Sequence, residues 1–325
     1  MSYALHIRGA ELVWAPWTVD SPAAGEVQLR VSATAVNRAD LVQRAGRYPP
    51  PPGASPILGL ECVGVIERVG EDVVGYSVGQ RVAALLTGGG YAQRVNVPYG
   101  QLFAVPDDMS DEVAVALPEA LCTAYINLWL EADLRPGERV LLHAGASGVG
   151  TTAIQLCREL GNPVWVTVGS QDKVDSCVRL GAEAGAVRHD GPWLEHVKGW
   201  TDKQGFDVIL DPVGGAYLSA NQRALAARGR LVLIGLMGGR LAEVDLGRLL
   251  VRRQRIVGSV LRSRSIGEKS QMLSRVREVA WPLCTSGRLR PQIHAVLPVR
   301  QASEAHALLA GNQTFGKVVL TVELG

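Results

Sequence analysis

The run Val140-Leu141-Leu142-His143-Ala144-Gly145-Ala146-Ser147-Gly148-Val149-Gly150 sets three glycines at the junction of an apolar stretch and a helix-like segment, Val149–Leu160. Glycines at a strand-to-helix turn let the chain double back tightly. They also bring N–H groups at the helix N-terminus up to a pyrophosphate. The spacing is G-x-x-G-x-G, so the weight rests on the context of strand, turn, helix and second strand. A glycine-rich turn without a ligand shares that pattern. The next strand ends at Val168-Gly169-Ser170, where an NAD site usually carries an acid for the ribose 2′-hydroxyl. Small Gly169 and Ser170, followed by Lys173, instead leave room and positive charge for a 2′-phosphate, and Arg188 could add a bidentate contact. The expectation is a dinucleotide site that prefers NADPH. Lys173 and Arg188 also read as solvated surface charges, and Asp172 is near enough to serve a ribose.

Other chemistry is sparse. No Ser/His/Asp arrangement stands out, and the six histidines lack metal-ligand spacing. His143 ends an apolar strand and reads as a satisfied core histidine. The five cysteines are scattered and never form C-x-x-C, as expected of reduced core thiols in a cytosolic protein.

These residues need a scaffold. Glu26–Val36 alternates Val27, Leu29, Val31 and Ala33 with polar or small partners, which predicts a half-buried strand. Short strands at Cys62–Val69, Gln80–Leu86 and Ala92–Val97 follow, separated by glycines, with a stiff proline loop at Tyr48–Ser55. After Pro118 helix and strand alternate. Helices are expected at Glu119–Glu131, Val149–Leu160, Lys173–Leu180 and Leu218–Ala227, and strands at Arg139–Ala144, Val164–Val168, Phe206–Leu210 and Arg230–Ile234. That rhythm means a parallel sheet covered on both faces. The tail adds strands at Val257–Leu261, Ala295–Val299 and Lys317–Val322 and helices at Lys269–Cys284 and Ala302–Leu309, and it either extends that sheet or returns to the first domain.

A chain of 325 residues suggests two domains and buries enough surface to need no disulfide or metal staple. Its net charge of 33 − 31 = +2, without blocks of like charge, gives no footprint for nucleic acid or an anionic membrane. The N-terminus has no apolar signal region, and the charge-free stretch between Arg139 and Arg158 holds His143, three glycines and Gln155. A cytoplasmic protein is expected.

A set of motifs then becomes specific: Asn37-Arg38-Ala39-Asp40-Leu41, Gly46-Arg47-Tyr48, Pro51-Pro52-Gly53-Ala54, Gly59-Leu60-Glu61, His143-Ala144-Gly145, Ser147-Gly148-Val149-Gly150, Leu236-Met237-Gly238-Gly239 and Leu261-Arg262-Ser263-Arg264. Together and in this order they resemble the zinc-independent quinone oxidoreductase (zeta-crystallin-like) branch of the medium-chain dehydrogenase/reductases, along essentially the whole chain. The resemblance implies an α/β protein: a GroES-like catalytic domain at 1–119, a Rossmann doubly wound parallel sheet binding NADPH at 120–258, and a return to the catalytic domain at 259–325. It implies quinone reduction in an interdomain cleft, with Tyr48 beside nicotinamide and quinone and the Ser147 hydroxyl near the cofactor. Tyr48 could equally anchor the proline loop and Ser147 cap the helix. Cofactor contacts are implied from Asn37, Thr123, Gly145, Ser147, Gly148, Val149, Gly150, Gly169, Ser170, Lys173, Arg188, Val213, Leu236, Met237, Gly238, Leu261, Arg262, Ser263, Gly316 and Lys317.

Related alcohol dehydrogenases carry zinc ligands at a cysteine near Asn37 and at a histidine where this chain has Leu60. Catalytic zinc needs three protein ligands, so Glu61 and Cys62 read as packing or hydrogen-bonding residues, and no metal is expected. A site without a strong acid–base pair suits a hydride donor, which carries the difficult chemistry itself. The family also implies a homodimer or homotetramer, with apolar Val257–Leu261 as candidate edge strand. Two alternatives stand beside quinone reduction: reduction of another activated double bond, such as an enone or enoyl thioester, and nucleotide binding with little turnover.

Overall fold

The period-two run of Val27, Leu29, Val31 and Ala33 is fully buried and forms the strand Glu26–Val36 in the computed structural model, which describes residues 2–197 and 199–323. Among these the chain divides into two compact units. One comprises the residues up to Cys122 together with those from Leu261 onward, and the other is Thr123–Val260.

In the first unit, Glu26–Val36 lies inside a seven-stranded sheet of order Ile293–Pro298, Lys317–Thr321, Glu26–Val36, Glu61–Val69, Arg81–Leu85 and Leu102–Ala104, with Arg94–Pro98 also paired to Glu26–Val36. The outermost pair, Ile293–Pro298 with Lys317–Thr321, is parallel and the others are antiparallel. The tail therefore returns to the first unit: Val319 registers with Ala35 and Leu320 with Thr34. A hairpin not expected from the pattern, Ser2–Arg8 with Glu11–Trp17, turns at Gly9-Ala10.

In the second unit six parallel strands take the order Ala184–Val187, Val164–Val168, Val140–His143, Phe206–Asp211, Leu225–Leu233, Arg255–Gly258. Counted along the unit this is 3-2-1-4-5-6, the Rossmann arrangement, whose ligand crevice lies beyond the carboxyl ends of the central strands. Val140, Leu141, Leu142, Val208, Ile209 and Leu231 are all fully buried, as strands covered on both faces require.

Several expected boundaries move. The helix predicted at Glu119–Glu131 is α-helical over Pro118–Tyr125 and a π-helix over Ile126–Glu131. There the Asn127 side chain donates to the Thr123 carbonyl and the Ala132 N–H reaches back five residues to Asn127. The helix predicted at Leu218–Ala227 stops at Ala224, and its strand begins at Leu225 rather than Arg230. The strand expected at Val257–Leu261 is Arg255–Gly258, at the edge of its sheet as expected. The helix Lys269–Cys284 is two helices, Ile266–Val279 and Trp281–Thr285, because Pro282 cannot continue the first and suits the opening turn of the second. Among the described residues one stretch, Asp111–Glu131, is long and apolar enough to cross a membrane by length and composition alone. It is mostly buried inside the fold, as a core segment is.

Candidate functional site

The second unit holds the nucleotide-type turn. The strand Val140–His143 runs into Ala144, which takes φ 55°, and the helix Gly148–Leu160 follows. A Cβ on Gly145 would lie 2.6 Å from Val166, and one on Gly150 would lie 2.5 Å from the Gly145 carbonyl oxygen. Both glycines are therefore demanded by the packing of helix against loop and neighbouring strand. Ser147 is the N-cap: its Oγ accepts from the Gly150 N–H at 3.0 Å. The hydroxyl proton remains free to donate, so the cap role is realised without excluding a ligand contact. The opening N–H groups, at Gly148 and Val149, lie in the turn of the helix where no carbonyl of the helix can accept them. A pyrophosphate fits this cradle.

At the end of the second strand, Gly169 has no atom within 4 Å of the place a Cβ would take. Ser170 precedes the helix Gln171–Leu180 without capping it through its side chain. Arg188 is tied in by its N–H to the Val168 carbonyl at 2.9 Å. Lys173 is half-buried, and burial followed by the charge of Arg188 holds its ammonium below the ordinary lysine value. Lys173 thus lies within the field of Arg188, whose Nε donates to His189 Nε2 at 3.0 Å, and the strand end itself carries no acid.

Opposite in the strand order, Asp211 clamps the loop after Phe206–Asp211. Its carboxylate accepts from the N–H groups of Val213 at 2.6 Å and Gly214 at 3.2 Å and from Asn221 Nδ2 at 2.9 Å. Burial raises its pKa to about 6. Asn221 Oδ1 meets His143 Nε2 at 2.7 Å, and His143 Nδ1 meets the Thr167 hydroxyl at 2.8 Å. His143 is the satisfied core histidine expected, lowered to about 4 by burial. The expected residues Val213 and Gly238 pair through Gly238 N–H to Val213 O at 2.7 Å, and Leu236 and Met237 are half-exposed on the same turn. Thr123 is half-buried at the opening of this unit and accepts from Asn127 through its carbonyl. Asp211 and Asn221 were not anticipated; an Asp directly after an apolar strand and before Pro212-Val213-Gly214 is the signal that could have shown the clamp.

The first unit gathers a different set. Lys317 Nζ donates to Glu61 Oε1 at 2.6 Å, Asn37 Oδ1 at 2.6 Å and Val36 O at 3.3 Å, while Asn37 Nδ2 donates to Glu61 Oε1 at 2.8 Å. The other Glu61 oxygen accepts from the Glu119 N–H. A direct bond from Lys317 to a nucleotide would require it to give up one of these three partners. Gly316, at φ 85°, has the Gln292 carbonyl 2.0 Å from where a Cβ would stand, so it serves the strand junction. Asp40 accepts from the N–H groups of Asn37 and Gly59, and burial raises it to about 6. Tyr48 is half-buried in the proline loop, with the Arg262 guanidinium 5.1 Å from its ring centre; its pKa is raised, first by burial. Its hydroxyl makes no hydrogen bond among the described residues. Leu261, Arg262 and Ser263 form a turn ahead of the helix Ile266–Val279, with Arg262 buried and Ser263 exposed. The expected residues thus fall into two groups, one in each unit. A groove of about 880 Å³ in the first unit, bordered by Trp17, Arg30, Glu67 and Arg94, contains none of them.

Zinc does not fit the donors present. Both Glu61 oxygens are engaged, Leu60 carries no donor atom, and burial pushes the Cys62 thiol far above its ordinary value. Among the described residues no three His, Cys, Asp or Glu side chains converge on a point that could hold a metal.

Comparison with known proteins agrees with this architecture. The alcohol dehydrogenase GroES-like domain family matches residues 23–107, and the zinc-binding dehydrogenase family matches 148–278. A 2-haloacrylate reductase from Burkholderia sp. is 32% identical, covering 98% of both chains. Among solved structures, the quinone oxidoreductase of Pseudomonas syringae pv. tomato is 28% identical at TM-score 0.88, covering 99% of this chain and 100% of its own. An Escherichia coli quinone oxidoreductase solved with NADPH is 26% identical at TM-score 0.86, covering 98% and 99%. With the 3-2-1-4-5-6 sheet, the glycine turn and the GroES-like unit already in place, the chain belongs to the medium-chain dehydrogenase/reductases, NAD(P)-dependent oxidoreductases built from these two domain types.

Proposed function

We propose that this chain is an NADPH-dependent reductase of quinones that works without a metal. The observation that carries the cofactor half is the strand end at Gly169-Ser170: open space at Gly169, no carboxylate at the strand end itself, and Lys173 within the field of Arg188. Bound NADPH would supply a hydride. The protein's part is to hold the pyrophosphate at the Gly148 helix terminus, neutralise the 2′-phosphate with Lys173 and Arg188, and keep the loop at Val213–Gly214 in place through Asp211. Tyr48, with an uncommitted hydroxyl, is the residue assigned to the acceptor, and the likeness to two quinone oxidoreductases supports a quinone in that role.

The test is loss of the reduced nicotinamide absorbance with a panel of acceptors, run with NADPH and NADH. Turnover of quinones with NADPH preferred is expected. Equal use of the two cofactors would remove the phosphate reading, and no turnover with any acceptor would leave a nucleotide-binding protein. A second reading, reduction of an activated carbon–carbon double bond, is favoured by the similarity to a 2-haloacrylate reductase.

The active form in this proposal is a homodimer or homotetramer. The edge strand Arg255–Gly258 and the exposed side chains of Leu241, Leu250, Val251 and Val260 are the features that a second copy would cover in this proposal. Light scattering should give at least twice the chain mass of 34.7 kDa, and a value at the chain mass would refute it.

A further inference from the structure

Two buried cations lie side by side in the first unit. Arg262 is 6% exposed and Lys269 4%. Arg262 Nε donates to the Thr87 carbonyl at 2.7 Å and Nη2 to Gln43 Oε1 at 2.8 Å, while Nη1 is buried with no partner at all. Lys269 Nζ donates to the Thr87 hydroxyl at 2.7 Å and the Arg262 carbonyl at 3.3 Å. An ammonium has three donors, so one of its N–H groups is unused. Among the described residues neither cation makes an ion pair with a carboxylate; the fields of Asp40 and Glu119 reach Arg262, and that of Glu119 also reaches Lys269.

The rest of the chain treats buried cations differently. Lys317 is given Glu61 at 2.6 Å, and Arg230 is given Glu138 at 2.6 Å. A buried charge without a directly paired counter-charge is costly, and two adjacent like charges cost more. The missing anion and the two open donors therefore belong together. We propose that Arg262 and Lys269 form a carboxylate-binding site beside Tyr48, and that the acceptor is a small α,β-unsaturated carboxylic acid in its anionic form. This rests on the second reading above, reduction of an activated double bond. The guanidinium edge suits carboxylate oxygens, and the ammonium adds a point charge. The Tyr48 ring lies over the guanidinium, and in this proposal it moves aside to admit the carboxylate. In the reaction the carbon–carbon π bond breaks, one carbon gains a hydride and the other a proton from solvent. The products are the saturated acid and the oxidised nicotinamide. A quinone, being neutral, would leave both cations uncompensated, so this site and the quinone reading predict different preferred acceptors.

Two measurements test the site. Propionate, an unreactive anion, should raise the melting temperature of the native protein more than chloride at equal ionic strength, and should lose that effect in Lys269→Gln and Lys269→Met. Acrylate should be reduced with higher kcat/KM than methyl acrylate, despite the ester's greater intrinsic reactivity. In Lys269→Gln the ratio of acid to ester should fall roughly tenfold to a hundredfold, as expected for loss of a charge-assisted hydrogen bond. An ester used as well as the acid by the native protein overturns the proposal, even if the variants do not fold. So does a propionate shift no larger than that of chloride. If propionate binds in a Lys269-dependent way while no acceptor consumes NADPH, the site stands and the reductase reading fails.

Discussion

The Glu61 carboxylate and the Lys317 ammonium meet at 2.6 Å across 256 residues of sequence, with both side chains out of solvent. Asn37 bridges them, so one buried cluster ties together the cap of the helix Arg38–Arg44, the strand Glu61–Val69 and the strand Lys317–Thr321. Removing one partner strands the other charge. Lys317→Met should destabilise the fold by about 3–5 kcal/mol, whereas pairing it with Glu61→Leu should recover much of that loss. Urea midpoints of the two variants check this, and a single variant as stable as the native chain would show that the pair contributes nothing.

The paired cations at the second strand set cofactor choice in our proposal. Lys173→Ala and Arg188→Ala should each raise the KM for NADPH, so that the NADPH to NADH ratio of kcat/KM falls roughly tenfold or more. An unchanged ratio in both variants would mean these are ordinary surface charges.

Tyr48 offers a separable pair of roles. Tyr48→Phe keeps a ring over Arg262 and removes the hydroxyl, while Tyr48→Ala removes both. If the hydroxyl serves the acceptor, both variants lose acceptor turnover by a similar factor and Tyr48→Phe keeps the native melting temperature. A Tyr48→Phe enzyme with native turnover would assign the residue to packing.

Opposing titrations shape the response to acid. Burial raises Asp40 and Asp211 to about 6 and lowers His143 and His306 to about 4. A carboxyl raised in the fold holds its proton more tightly folded than unfolded, so its contribution to stability falls as pH rises from about 4 to about 6. A histidine lowered in the fold is protonated first in the unfolded chain, so its contribution grows with pH over about 4 to 6.5. The pairs largely cancel. Asp40→Asn removes one falling contribution and keeps an acceptor for the Gly59 N–H, so its stability should climb more steeply with pH than the native protein's. Over that window the difference should reach up to about 3 kcal/mol. Parallel denaturation profiles would show that Asp40 titrates as it does in the unfolded chain.

What could be read in advance followed from local pattern. Val27 to Ala33, the apolar run Val140–His143 and the glycine turn each carry their structure in consecutive residues, and each formed the element expected. The hairpin of Ser2–Arg8 with Glu11–Trp17 escaped because Pro16 interrupts the strand pattern. The π-helix depends on an Asn127 side chain bond that no periodicity encodes. The partners His143, Asn221 and Asp211 come from three elements, and Lys317 is far from Glu61 along the chain. Nor can sequence show that Lys269 is buried, because a lysine on a helix is ordinarily solvated.

The strand Lys317–Thr321 pairs with a strand that begins at Glu26, so the order in which a ribosome releases the chain matters. Residues 123–260 are contiguous and can fold as soon as they emerge. The first unit cannot finish until its last strand arrives, and in the interval the edge at Ala33–Val36 waits unpaired and the Glu61 carboxylate waits without its cation. A nascent chain arrested short of Lys317 would present an unpaired strand edge beside an unmatched buried acid, which is the sort of surface that chaperones hold and that aggregates recruit.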